Sequence, residues 1–445
     1  MPLVKIIDTT LRDAHQSLMA TRLRREDAAK LAEKLDKAGF YSLEVWGGAT
    51  FDVDLRYLKE DPWIRLKVID EIVTKSKKQM LLRGVSLVGY EPYPEDVIKE
   101  FIHRAHKNGI DIFRIFDALN DLDNIILPVK EARKTGGIVQ GAMTYSISPV
   151  HTVDYYTKLA EKIASLEVDE LVIKDMAGLL DPITAQELVT RIKKEVRIPL
   201  GVHTHDSNGL STATYYASVK SGADMIDTSV FPLAYGTAQP AIQSTYYALP
   251  REARGEINLS VINEVSMMIK ELLTTKYNKE FDPRLQVPDP HALVHQIPGG
   301  MMSNLIYQLK EMNQLDLLDE VLEEVPKVRK DLGWPPLVTP ISQMVGAQAV
   351  LNIIAGERYS MMVKELKAYI KGKYGKPPAE IDPSLRAKVE GEELPEIEKL
   401  GMKECEEKLK SILSEHTQED VLTYCLFPHE AEEFFRSKLK LGSIY

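Results

Sequence analysis

From residue 3 to about residue 250, short apolar runs alternate with longer amphipathic stretches. The runs at 4–8, 42–46, 80–87, 110–116, 138–146, 170–174, 199–204 and 225–230 are rich in β-branched residues and read as strands. Between them, stretches such as 25–38, 94–108, 153–165 and 184–196 repeat their apolar positions with a helical period. Gly39, Gly109 and Gly222 stand where those helices should end, just before the next strand. Eight strand–helix units in this span match the roughly 250 residues of a TIM barrel. An open doubly wound sheet would bring a Gly-rich phosphate turn after an early strand, and no G-x-G-x-x-G occurs. The pattern therefore predicts the α/β class, a (β/α)8 barrel.

After Gly255 the strand signals stop, and 259–277, 305–322, 342–355 and 418–438 read as helices. Proline-rich breaks at 334–340 and 376–383 separate them, and the charged segment 390–410 reads as a solvated helix face. The expected organisation is a catalytic barrel over 1–300 and a mainly helical extension over 301–445, packed across the barrel mouth.

Composition narrows the function classes. A net charge of −10 with no basic run of five or more residues argues against general nucleic-acid binding. No stretch reaches the ~20 apolar residues of a membrane span, and the N-terminal run is too short for a secretory signal. Cys405 and Cys425 are too few for a disulfide framework and are expected as isolated thiols in a reducing compartment. The chain is expected in the cytoplasm.

In a barrel the chemistry sits at the C-terminal ends of the strands. Strand 7 ends in His203-Thr204-His205-Asp206, and a period of two puts both imidazoles on one face. Strand 1 leads into Asp8-Thr9-Thr10-Leu11-Arg12-Asp13-Ala14-His15-Gln16, and closure makes strands 7, 8 and 1 neighbours. Asp13, His203 and His205 are therefore candidate metal ligands, and a mixed nitrogen and oxygen set suits Zn, Mn or Co better than Mg or Ca. Lys174 lies within the apolar strand 6, where an ammonium is costly and its pKa should fall. Three fates stay open for it: a carbamate formed with CO2, a salt bridge to Asp175 or Asp206, or a Schiff base. Arg12 and Arg83 are candidate carboxylate clamps, with structural ion pairing as the alternative, and Gln16 adds an amide beside them.

These residues fall in a recognisable series. The run from Asp8 to Arg22 resembles the opening motif of the carboxyltransferase domain of pyruvate carboxylase, shared with the oxaloacetate decarboxylase α subunit and the pyruvate-binding subunit of transcarboxylase. The resemblance continues through Trp46 to Asp52, Leu81 to Gly84 with Gly89-Tyr90, and Ile173 to Gly178. It runs on through His203 to Asp206, Gly236 to Pro240, Pro298 to Gly300 and Ser342 to Gly346. It implies biotin-dependent carboxyl transfer between carboxybiotin and pyruvate, giving or consuming oxaloacetate through a metal-stabilised enolate. It further implies a divalent metal held by Asp13, His203, His205 and a carbamylated Lys174, and pyruvate contacted by Arg12, Gln16 and Arg83. Asp52 and Tyr90 match further active-site positions.

Ser303, after the Pro298-Gly299-Gly300 turn, matches the hydroxyl residue that shuttles a proton between biotin and the pyruvate methyl. Pyruvate carboxylases typically carry Gln-Tyr-Thr-Asn there, whereas this chain reads Met301-Met302-Ser303-Asn304, closer to the decarboxylase, transcarboxylase and two-subunit branches. The biotin-bearing Ala-Met-Lys-Met sequence has only the imitation Gly401-Met402-Lys403-Glu404, so biotin is expected on another domain or subunit. A biotin carrier, a biotin carboxylase or decarboxylase subunit, and a second copy of the chain in a homodimer are the implied partners. Two other readings stay open: an aldolase-type metal-dependent acyl-CoA synthase or lyase, and a non-catalytic scaffold for a biotin carrier. The aldolase-type enzymes share the opening motif and His-x-His, but generally have glycine where this chain has Ala14 and lack the lysine at position 174.

Overall fold

The computed structural model describes residues 2–393 and 399–442. All eight predicted strands form and pair in parallel, in sequence order: β1 (Lys5–Asp8), β2 (Ser42–Trp46), β3 (Lys77–Arg83), β4 (Ile112–Phe116), β5 (Ile138–Thr144), β6 (Glu170–Asp175), β7 (Leu200–Thr204) and β8 (Met225–Thr228). β8 pairs with β1 and closes the barrel. Alternation sorts each strand into two faces. On β6, Leu171 and Ile173 join the core under the helices, while Val172 and Lys174 face the barrel interior.

β2 breaks that alternation to useful effect. A register shift between Glu44 and Trp46 keeps Glu44 inside and turns Trp46 outward. There its ring meets Trp63 at 5.1 Å and Phe101 at 5.7 Å. The helix Arg25–Leu35 ends ahead of Gly39, which has φ +91°, and a Cβ there would lie 2.4 Å from the Glu256 carbonyl. Only glycine meets both demands.

The helical extension divides in two. Residues 297–389 contribute nearly all of a hydrophobic cluster of their own, distinct from the barrel core. This roof meets the barrel rim through polar contacts, Arg329 donating to Ser146 Oγ at 2.7 Å, Asn124 to the Tyr374 carbonyl at 3.0 Å and the Lys376 amide to Asp121 at 2.7 Å, and through Val338, which packs with Leu81, Phe116, Ala142 and Val172. The helices Met402–Leu409, Gln418–Leu426 and Pro428–Gly442 instead join the main core along the barrel flank. Trp63 donates to Thr423 at 3.1 Å, and Tyr93 to the Leu426 carbonyl at 2.7 Å.

Three expectations for this extension change. The single helix predicted at 305–322 is two, Gly299–Glu311 and Leu318–Asp331, parted where Asn313 takes φ +53°. The helix at 418–438 is likewise two, because Pro428 cannot supply the amide that would continue the first. In the charged segment, Met402–Leu409 is helical but not merely a solvated face, since Cys405 and Leu409 are buried; residues 394–398 lie outside the described residues. The cysteines are a further correction. Two helices that fold back on each other bring Cys405 and Cys425 into a disulfide with their Cα atoms 5.5 Å apart, across a separation of 20 residues that gave no sign of pairing. Among the described residues no helix is long and apolar enough to cross a membrane.

Candidate metal and substrate site

A cavity of about 260 Å³ opens at the C-terminal end of the barrel. Its floor comes from strand ends and the first loops: Arg12, Asp13, Gln16, Gly48, Leu81, Arg83, Met176 and His205. Its roof comes from Pro298, Met301, Leu337, Val338 and their neighbours.

The run after β1 does not stay a loop. Asp8 accepts from the Thr10 amide at 3.1 Å and the Thr10 hydroxyl at 2.7 Å, and residues Thr10–Ala14 wind into a wide π-helical turn. Such turns recur at functional sites because they re-aim side chains. This one buries Arg12 and Asp13 beneath the cavity, and Gln16 follows on the helix His15–Met19.

Asp13, His203 and His205 converge as their spacing suggested. Asp13 Oδ2 lies 3.4 Å from His203 Nε2 and 3.5 Å from His205 Nε2, and the three ligand atoms fall within 4.8 Å of one another. Each imidazole is fixed from behind: His203 Nδ1 lies 2.7 Å from Asp227 Oδ2, and His205 Nδ1 lies 2.6 Å from the Thr237 carbonyl. Donating through Nδ1 leaves both Nε2 lone pairs turned toward Asp13, which fits a divalent cation. Burial works against ionised Asp13, but Arg12, His205 and Lys174 hold it well below the usual carboxylate range. Gln239 Nε2 sits 3.0 Å from His205 Nε2 and closes the far side.

Lys174 is fully buried, 3.1 Å from His203 Nε2 and 3.7 Å from Asp13 Oδ2. Burial brings its amine down to about 8 despite the attraction of Asp13. The salt bridges considered from sequence do not form. Asp175 faces the other side of β6 and accepts from the amides of Leu179 and Leu180, while Asp206 accepts from Ser211.

The two arginines separate. Arg12 is committed to ion pairs, with Asp13 at 2.9 Å and Glu44 at 2.8 Å, and its other nitrogen donates to Gln16 at 3.2 Å. Arg83 pairs with no carboxylate among the described residues; its Nη1 donates to the carbonyls of Val88 at 3.1 Å and Gly89 at 2.8 Å. Its guanidinium lies 5.2 Å from the centre of the Tyr90 ring. Tyr90 donates to Asp52 at 2.9 Å, and Asp52 accepts from Arg56 at 2.9 Å. Asp52 and Tyr90 therefore stand behind Arg83 rather than lining the cavity. Gly48 leaves room for it, because a Cβ there would come within 2.7 Å of the guanidinium carbon. Ser303 belongs to the helix Gly299–Glu311, whose residue Met301 lines the roof; the serine side chain lies outside the described residues.

Glu44, Arg114 and Asp227 do not stand out in the resemblance, and Gln239 enters it only inside the Gly236 to Pro240 segment. A signal existed for the first three. Each is a charge within an otherwise apolar strand, as in Ser42-Leu43-Glu44-Val45-Trp46, the same oddity that singled out Lys174.

A family model described as a conserved carboxylase domain matches residues 292–445, and one described as HMGL-like matches residues 100–272. A pyruvate carboxylase subunit of Methanocaldococcus jannaschii is 50% identical over 458 residues, spanning 99% of this chain and 79% of that protein. The 2-oxoglutarate carboxylase large subunit of Hydrogenobacter thermophilus is 42% identical over 450 residues, spanning 98% and 69%. The carboxyl transferase domain of Rhizobium etli pyruvate carboxylase, solved with pyruvate and biocytin, is 31% identical with a TM-score of 0.91, over 98% of this chain and 77% of that one. The acyl-CoA and scaffold readings are not favoured. The HMGL-like match stops within the barrel and its first following helix, while relatives that match the whole chain are carboxylases and carboxyltransferases. The chain belongs to the family of pyruvate carboxylase subunits and related carboxyltransferase domains, and it is a biotin-dependent carboxyltransferase.

Proposed function

We propose that the chain moves a carboxyl group between biotin, carried on another domain or subunit, and pyruvate, making or consuming oxaloacetate. One observation carries this reading: a single cavity joins a three-ligand metal corner to Arg83, a cation with no carboxylate partner of its own among the described residues. Asp13, His203, His205 and Lys174 as its carbamate would hold a divalent metal, Zn, Mn or Co by the donor set, which would supply Lewis-acid stabilisation of negative charge on the keto oxygen. The depressed amine of Lys174 supports the carbamate, because only a neutral amine captures CO2.

Arg83 then binds the substrate's oxygens and adds positive charge where the enolate develops. Gln16 and the outer nitrogen of Arg12 supply further hydrogen-bond donors, while Asp52 and Tyr90 hold Arg83 in place. Ser303 passes a proton between its hydroxyl and the pyruvate methyl carbon in one direction and the biotin ureido group in the other. Leu81, Phe116, Met301 and Val338 form an apolar wall that keeps water from CO2 and the enolate. A biotin carrier is the partner this requires, with a biotin carboxylase or decarboxylase subunit to charge or discharge it according to direction, and we place the enzyme in the cytoplasm as a homodimer.

The test is oxaloacetate decarboxylation by the metal-replete protein with free biotin present and absent. Biotin should stimulate the rate, and Ser303→Ala should abolish the stimulation while keeping metal and pyruvate binding. A rate indifferent to biotin would defeat the reading. The 42% identical 2-oxoglutarate carboxylase large subunit gives a second 2-oxo acid to try as competing acceptor. Incorporation of ¹³CO2 into a carbamate signal lost in Lys174→Met tests the fourth ligand.

A further inference from the structure

A row of polar side chains runs through the barrel interior, where branched apolar residues normally pack. Arg114 on β4 donates to both oxygens of Asp227 on β8, one of them at 3.1 Å, and through Nε to Gln140 on β5 at 2.7 Å. Gln140 donates to Glu170 on β6 at 2.8 Å. Glu170 accepts from Lys5 at 3.0 Å and Tyr41 at 2.9 Å, at the N-terminal rim of the barrel. At the other end Asp227 holds Nδ1 of His203. Arg114, Gln140, Glu170 and Asp227 are all buried, so the row connects the cavity floor to the opposite rim without a break.

Stability does not account for it. A buried ion pair is commonly no better than well-packed apolar residues of the same volume. What an apolar core cannot do is fix the direction of the Asp227 carboxylate. The two-pronged grip of Arg114 sets both carboxylate oxygens, and the oxygen nearest His203 dictates which ring nitrogen carries hydrogen. Gln140 in turn fixes the plane of the guanidinium by taking its Nε hydrogen.

We propose that Arg114 and Gln140 are positioning residues of the metal corner. They clamp Asp227 so that His203 is held as the Nδ1–H tautomer with Nε2 turned to the cation, and Glu170 anchors that clamp to the far rim. The proposal rests on the reading of His203 as a metal ligand.

Zn²⁺ affinity of the metal-free protein, measured by competition with a chromophoric chelator, tests it alongside the ¹⁵N shifts of His203. Arg114→Met should weaken Zn²⁺ binding about ten- to a hundredfold and mix the two His203 tautomers. Gln140→Met keeps the ion pair and much of the volume, and should weaken binding several-fold, within the lower part of that ~10–100 range or below it. A folded Arg114→Met with wild-type affinity and a pure Nδ1–H tautomer overturns the proposal. Should that variant not fold, unchanged affinity and tautomer in Gln140→Met overturn it. Asp13→Ala separates the two levels: if it binds Zn²⁺ as tightly as wild type, the metal-corner reading itself falls.

Discussion

His203 is held from within the barrel by Asp227 and Arg114, both almost wholly shielded from solvent. Arg83, across the same cavity, is held from outside. Its support runs through Tyr90 and Asp52 to Arg56, and Arg56 pairs at 2.8 Å with Glu430 on the flank helix Pro428–Gly442; the Arg56 side chain is 40% exposed. A buried pair is costly to assemble but poorly screened by salt, whereas an exposed pair is screened within about 8–10 Å at ordinary ionic strength. The cation corner is built to keep one geometry across ionic strengths, whereas the outermost link in the support of the substrate corner is a contact that salt can weaken.

The comparison breaks most sharply at Asp13. Asp13→Ala removes a ligand and the partner of Arg12, and should lower kcat by about a thousandfold, roughly 4 kcal/mol of barrier, with loss of bound metal by elemental analysis. Gly48→Ala should strike the other corner alone. Its new methyl displaces the Arg83 guanidinium, so KM for pyruvate should rise about tenfold, ~1.4 kcal/mol, at unchanged metal content.

Tyr90→Phe removes one hydrogen bond to Asp52 and should raise KM a few-fold, about 0.5–1.5 kcal/mol. Burial pushes the Tyr90 phenol up to about 12, so it stays a donor well past neutrality. Its folded value lies above its unfolded one. The contribution should therefore hold steady below pH ~10 and fade as pH climbs from 10 toward 12. Titrating stability of wild type against Tyr90→Phe checks this, and a difference already fading at pH 8 would contradict it. Glu430→Gln should have the smallest effect, about 0.2–1 kcal/mol in pyruvate binding, and it should vanish in 1 M salt. Equal salt sensitivity at both corners would erase the contrast.

Much of the barrel was legible because strand and helix periods alternate cleanly, and His203 and His205 were legible because period two puts them together. The interior row was not. A single charge such as Arg114 in Ile112-Phe113-Arg114-Ile115-Phe116 acquires a partner only when closure brings β8 across the barrel to it. Arg12 and Arg83 looked alike in sequence, and only the placement of Glu44 separates the committed cation from the open one. The flank helices were misjudged for a related reason. Their charged faces were visible, but the aromatic patch that receives Phe427 at 5.7 Å from Phe51 exists only once β2 has turned Trp46 outward.

The roof over the cavity belongs largely to its own hydrophobic cluster and meets the rim through polar contacts and a small apolar seam, Val338 against Leu81, Phe116, Ala142 and Val172. That seam is small beside either core, so we predict that the roof opens ahead of the barrel and that amide exchange reports two opening free energies rather than one. The amides of Ile341–Ala355 should exchange together, ahead of those of β4 to β6, even where global unfolding is negligible. Were the roof to open in this way, admission of a reactant and release of product would draw on the lower of the two and leave the barrel's own protection untouched.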